Sequence, residues 1–157
     1  MKKLAQVLTG AVLAFMVFFL LALQSAQLRV SVIEYEAVPA RSDPALTEQL
    51  IETARTHDML GDLYRRPLRE GLDSYQLIKI RLRARNLGLF PAEWAKLWLT
   101  PDALDIALFA AGEQDIPGMG RTRDIVATLL CEAEAPDNRR AMQLTYYVLG
   151  HKFEIGV

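Results

Sequence analysis

Cysteine occurs once in this chain, at Cys131, and histidine twice, at His57 and His151. One thiol closes no intramolecular disulfide, and no CxxC-type spacing is present to hold zinc. Two histidines are too few for a histidine-rich metal site, and neither a metal nor a cofactor is expected. Charge of one sign is also lacking, since the formal net charge is −1. With Lys2 and Lys3 set aside, the 18 basic residues become 16, against 19 acidic ones, a net of −3. Such a balance gives no global pull toward nucleic acid, so no nucleic-acid partner is expected and any basic function must be local. The chain contains no GxSxG, no phosphate loop and no HExxH, and the reading is of a protein that is not an enzyme. No internal repeat or low-complexity linker interrupts it. A domain without disulfides must be held by its core, and the residues after the first 27 are numerous enough to close one.

The N-terminus is the opposite of sparse. MKKLAQVLTGAVLAFMVFFLLALQSAQ has no charge from Leu4 to Leu23, and Ala11–Leu23 is unbroken apolar sequence. About 20 helical residues at ~1.5 Å each span a ~30 Å hydrocarbon core. Two readings compete, a cleaved signal peptide and an uncleaved signal anchor. Cutting after Ala26 leaves Gln24 three places before the cut, and cutting after Ser25 leaves Leu23 there. Neither is a small-x-small site, so residues 1–27 are read as a signal anchor or transmembrane helix, with secretion after cleavage as the alternative. No cysteine follows the apolar run, which excludes a lipoprotein. The two lysines hold the N-terminus in the cytoplasm, so residues 28–157 are expected outside the cell membrane, tethered through residues 4–23.

The rest of the chain changes period twice. Residues 28–38 alternate, with Val30 and Val32 on one face and Ile33 and Tyr35 on the other, up to Pro39; this predicts a first strand. Residues 42–61 then place Leu46, Leu50, Ile51 and Ala54 on one helical face. Asp43 suits the N-cap, Pro44 the first helical position and Gly61 the stop, which predicts a helix at about 43–60. Residues 62–74 are charged and broken by Pro67 and Gly71, and are read as a loop or irregular edge segment. From Tyr75 the signals are β: Tyr75–Arg85, Trp94–Leu99, Asp105–Ala110, Arg123–Cys131, Ala141–Val148 and Lys152–Val157. Asn86-Leu87-Gly88 is read as turn chemistry, Ile116–Gly120 as a break, Glu132–Arg140 as a loop, and Leu149-Gly150-His151 as the centre of a hairpin. About seven short strands with regular turn signals make a mostly β chain, a two-sheet sandwich with one inserted amphipathic helix behind a single transmembrane helix.

Three stretches, LIKIRLRARNLG (77–88), DIPGMGRTRDIVATLLC (115–131) and QLTYYVLGHKFEIGV (143–157), carry a resemblance. A long alternating strand ending in Asn-x-Gly, a Pro-Gly approach to a later strand and a terminal strand pair resemble the small bacterial extracytoplasmic immunoglobulin-like sandwiches. The likeness covers about residues 75–157, with 28–38 as a first strand, and the helix at 43–60 departs from a minimal sandwich. It implies an adhesion, assembly or ligand-presenting module, by analogy of fold alone.

Two sets of residues are candidates for binding. Lys79, Arg81, Arg83 and Arg85 share one face of a strand, with heads repeating about every 6.6–7 Å. Such a row could meet anionic headgroups, an acidic glycan or an acidic partner; it is also what a solvated strand face looks like. Trp94 and Trp98 share a parity with Lys96 between them, while Ala95, Leu97 and Leu99 make the cleaner core set. The tryptophans are therefore expected on an outer face, near the basic row if the two strands are neighbours, where flat rings beside cations suit sugar or partner contact. The competing readings are that the helix packs over them or that a bulge turns one inward. Asp102, Asp105, Glu113, Asp115 and Asp124 are read as turn carboxylates, because their spacing matches no calcium loop. Cys131 and His151 are not expected to pair as nucleophile and base, since a cysteine in an apolar strand behaves as a small hydrophobe. The expected function is a membrane-tethered binding or assembly module presenting a sheet face to an envelope protein or a glycan. The alternative is a structural accessory subunit held through its transmembrane helix, where Gly10 and Ala11 or Ala14 would allow close helix approach.

Overall fold

The computed structural model describes residues 2–24, 27–57, 64–110, 112–133 and 140–157. Helix α1, Lys2–Gln24, is apolar on every side. Its segment Lys3–Ala22 is long and apolar enough to span a membrane, and nearly all of it is exposed, with Ala22 buried at its C-terminal end. A helix without a polar face is suited to a solvent other than water.

The described residues then form eight strands: β1 Leu28–Pro39, β2 Tyr75–Asn86, β3 Ala92–Leu99, β4 Asp105–Ala110, β5 Gln114–Ile116, β6 Thr122–Glu132, β7 Met142–Val148 and β8 His151–Gly156. They make two four-stranded sheets, β1-β2-β6-β4 (sheet A) and β5-β3-β7-β8 (sheet B). Every pairing is antiparallel. The expected two-sheet fold is present, with one strand more than the sequence suggested. β5 is only three residues long and ends against Pro117, too short to carry a visible alternation. Glu132, expected in a loop, closes β6, and residues 134–139 lie outside the described residues.

Helix α2, Pro44–His57, starts where expected. Asp43 accepts the Leu46 N–H on Oδ1 at 3.3 Å, and Pro44 takes the position where a missing N–H costs nothing. The predicted last turn and Gly61 lie outside the described residues. The stretch 62–74 is a correction, since it holds helix α3, Arg65–Glu70, and a 3-10 turn, Leu72–Ser74. Pro67 is tolerated because it sits in the first turn, where backbone N–H groups have no helical partner. Gly71, at φ 84°, ends the helix by donating its N–H to the Pro67 carbonyl at 3.1 Å.

Two apolar clusters result. The even positions of β2, Ile78, Ile80, Leu82 and Ala84, pack between the sheets with Leu97, Ile125, Ala127, Leu144 and Cys131. At the start of β2 the other face is buried as well. Tyr75 and Leu77 pack with Leu50, Ile51 and Ala54 of α2 and with Ile106 and Leu130, so α2 covers part of the outer face of sheet A.

The two outer faces of the sandwich as candidate sites

Lys79, Arg81, Arg83 and Arg85 lie on the outer face of sheet A, on β2, beyond the part that α2 covers. Each has found an oxygen. Lys79 Nζ lies 3.0 Å from Asp43 Oδ2, and Arg81 Nε lies 3.4 Å from Glu34 Oε2. Arg83 binds both oxygens of Asp124, at 2.8 and 3.0 Å, and Arg85 Nε donates to the Gly120 carbonyl at 3.1 Å. The acids follow from the pairing register, which sets Glu34 opposite Arg81 and Asp124 opposite Arg83. The hydrogen bond from Lys79 holds the Asp43 carboxyl below its ordinary range, and that from Arg83 does the same to Asp124.

Trp94, Lys96 and Trp98 lie on the outer face of sheet B. β2 and β3 belong to different sheets, so the expected neighbourhood of tryptophans and basic row does not form, and the two sets point away from each other. α2 covers sheet A and not the tryptophans. A bulge is present, but it turns neither ring inward. The register slips between Ala92 and Ala95, so both alanines face the core while Trp94 is left outside. Trp94 has φ 51°, a left-handed conformation rare for a bulky side chain. Its N–H donates to Asp115 Oδ1 at 3.0 Å, which holds the bulge against β5.

Trp94 is 56% exposed and Trp98 48% exposed. Together with residues of β7 and β8 they line a shallow depression of about 410 Å³. Tyr147 meets Trp94 edge to face, ring centroids 5.4 Å apart. Lys96 Nζ sits 4.5 Å from the Trp98 ring centroid, so the cation–π pair is made inside this face rather than with an arginine of the basic row. Trp98 Nε1 donates to Thr145 Oγ1 at 2.9 Å. The remaining charges are matched: Lys96 faces Glu113 at 3.9 Å, and Lys152 Nζ lies 2.6 Å from Glu154 Oε1. The Lys152 hydrogen bond draws the Glu154 carboxyl down, and Gln143 donates to its other oxygen at 2.7 Å.

Sequence reasoning missed Gln143, Thr145 and Tyr147. Their signal was present in QLTYYV, where they alternate with Leu144, Tyr146 and Val148. What was missing was that β7 lies beside β3, which no local pattern states. The loop carboxylates are engaged locally. Arg140 binds Asp102 at 2.8 Å and Asp105 at 2.7 Å, and burial pushes the Asp105 carboxyl up against that pull. Cys131 is fully buried near the end of β6, at the opposite end of the sandwich from His151 in the β7–β8 hairpin, so those two residues form no pair.

No family model matches this chain, and no curated protein does. Among solved structures it is similar to the crystal structure of a FixG-related protein from Vibrio parahaemolyticus, with a TM-score of 0.41 and 9% identity. The likeness covers 85% of this chain and 93% of that one.

Proposed function

We propose that this protein is a membrane-tethered, extracytoplasmic, immunoglobulin-like binding module without catalytic activity, and that it presents the outer face of sheet B to a glycan. The observation that carries the reading is the pair of half-exposed tryptophans, Trp94 and Trp98, flanked by Tyr147 and by short polar side chains. Flat rings offer apolar faces to the C–H faces of a sugar, while Gln143, Thr145 and the matched charges offer hydrogen bonds at the rim. The left-handed backbone of Trp94 costs about 1 kcal/mol or more, a cost that recurs at binding sites. The paired charges favour an uncharged saccharide. An acidic glycan was an expectation for the basic row itself, where Lys79, Arg81 and Arg83 already face carboxylates.

The chain contains two tryptophans, and both are on this face, so intrinsic fluorescence reports on it directly. The full chain in detergent micelles is titrated with neutral and acidic oligosaccharides. A saturable emission shift with a neutral saccharide, lost in Trp98→Ala, is the expected result. No shift with any saccharide, together with crosslinking of Trp98 to a membrane-protein partner, would replace the glycan with a protein.

A further inference from the structure

We infer that the end of the sandwich next to α1 is a membrane-docking surface, with Leu87, Leu89, Met119 and Leu149 seated among lipid headgroups and upper acyl chains. The inference rests on the reading of α1 as a membrane span. Its first support is the tether. α1 ends at Gln24, and the carbonyl of Gln27 accepts the Leu87 N–H at 3.0 Å. Three residues reach at most about 11 Å, so the 86–90 loop cannot lie far from the end of the span. Phe19 of α1 also meets His151 of the β7–β8 hairpin, ring centroids 6.3 Å apart.

The topology gathers the loops there. Leu28 pairs with Asn86, Ala92 with Ile116, Arg85 with Thr122 and Val148 with His151. The turns 86–91, 117–121 and 149–150 therefore all project from the end where the helix joins. What they project is apolar: Leu87 is 39% exposed, Leu89 53%, Met119 78% and Leu149 39%. Met119 and Leu149 occupy left-handed turn positions, φ 60° and 50°, where glycine or asparagine is the soluble choice.

These loops are held, not loose. The buried Asn86 side chain donates to the carbonyls of Phe90 at 2.9 Å and Ile116 at 3.0 Å, and accepts the Gly88 N–H at 2.9 Å. Met119 N–H donates to the Gly88 carbonyl at 2.7 Å. The two loops cross so closely that a Cβ on Gly118 would stand 2.5 Å from the Leu89 carbonyl oxygen.

Charge agrees with a lipid surface rather than a second protein chain of mixed charge. Residues 86–91, 117–121 and 149–151 contain no acidic side chain, and the exposed Arg29, Arg85 and Arg121 border them on the sheet A side. Apolar tips bordered on one side by arginines fit an interface of acyl chains beneath anionic headgroups.

The test uses the full chain reconstituted in phosphatidylcholine vesicles, with and without phosphatidylglycerol. Single cysteines are introduced as Leu89→Cys, Met119→Cys, Phe15→Cys and, at the far end of the sandwich, Thr100→Cys. Each is labelled with an environment-sensitive fluorophore and quenched by nitroxide-bearing lipid; Cys131 is buried, and the parent chain is the blank. We expect blue-shifted emission and quenching at residues 89 and 119 several-fold above that at residue 100, increased by phosphatidylglycerol. Quenching at residue 15 with residues 89 and 119 no more quenched than residue 100 would overturn the docking surface and leave the span intact. Absence of quenching at residue 15 would overturn the span, and the docking surface with it. Blue-shifted but unquenched label at residues 89 and 119 would mean a protein covers this end, which also overturns the inference.

Discussion

The two outer faces of the sandwich come from the same strand pattern and have opposite fates. On sheet A, α2 covers the start of β2, and beyond it Lys79, Arg81 and Arg83 are neutralised by acids from the α2 cap, β1 and β6, while Arg85 donates to the Gly120 carbonyl and keeps its charge. On sheet B, among the described residues, no helix lies over the strands, and two tryptophans stand half exposed. Alternation decides which side chains leave the core, and the neighbouring strand decides what they meet. A row of cations satisfied by neighbours has little left for a partner, whereas exposed rings keep most of their apolar surface unused.

The largest effects should come from removing what makes the faces differ. Leu50→Ala, under α2, and Leu82→Ala, between the sheets, should each cost about 2–5 kcal/mol in urea unfolding. They should differ in kind. Leu82→Ala weakens the whole sandwich, while Leu50→Ala also raises hydrogen exchange in α2 and leaves sheet A as open as sheet B. A cost below ~1 kcal/mol for Leu50→Ala would mean that α2 does not seal its face.

Between the faces, Cys131→Ser should cost about 1–3 kcal/mol by burying a hydroxyl, and Cys131→Ala should cost less. Burial pushes the Cys131 thiol pKa up, so slow alkylation of the native protein is the companion measurement. Rapid alkylation under native conditions would contradict the packing.

On the basic face, replacing Arg81, Arg83 and Arg85 together by glutamine should change stability by no more than about 1 kcal/mol, because exposed ion pairs contribute little. Saccharide-induced fluorescence should be unchanged at low and high salt. Loss of salt-sensitive binding in this variant would move the site to sheet A.

Trp94→Gly gives the sharpest contrast with the smallest stability change. Relief of the left-handed backbone, about 1 kcal/mol, offsets loss of the Tyr147 contact, about 0.5–1.5 kcal/mol. Melting should therefore barely move while binding is lost. A drop in stability like that of a core variant would show that Trp94 serves folding.

Acid titration separates the faces once more. The folded-state pKa values of Asp43 and Asp124 lie below the ordinary value of 3.8. Their contribution is present above that unfolded value and is lost as pH falls through the lower folded values. Combining Lys79→Met with Arg83→Met should flatten this part of the acid limb and leave the part due to Glu154. An unaltered acid limb would mean those pairs do not form in solution.

Much of this was legible because it is local. Asp43-Pro44 announces the start of α2, and the β2 alternation correctly separates Ile78, Ile80 and Leu82 from the basic row. The two-residue turn Leu149-Gly150, with φ 50° and 79°, sits where the hairpin was expected. The reading of Asn86 failed in an instructive way. Asn86 and Gly88 were expected for backbones that a turn demands, yet neither has a positive φ. Asn86 is there for its buried amide, which ties two loops together through atoms about 30 residues apart in sequence. A bulge in this strand was one of the alternatives, but a bulge that keeps Trp94 outward was not legible, because the Asp115 carboxylate that holds it comes from another strand.

The sequence by itself determined an apolar N-terminal helix, a capped amphipathic helix and a set of alternating strands, since each depends on side chains within a few positions of one another. Only the tertiary structure decided that β2 and β3 lie in different sheets. That fact separates the tryptophans from the basic row, while the β1–β2 and β2–β6 registers give Arg81 and Arg83 their acids, and the strand pairings together gather Leu87, Leu89, Met119 and Leu149 at the end beside α1. Periodicity specifies which face of a strand is apolar, but strand pairing is a contest among distant segments. It is settled by which pairings bury the most apolar surface and leave the fewest polar groups unpaired.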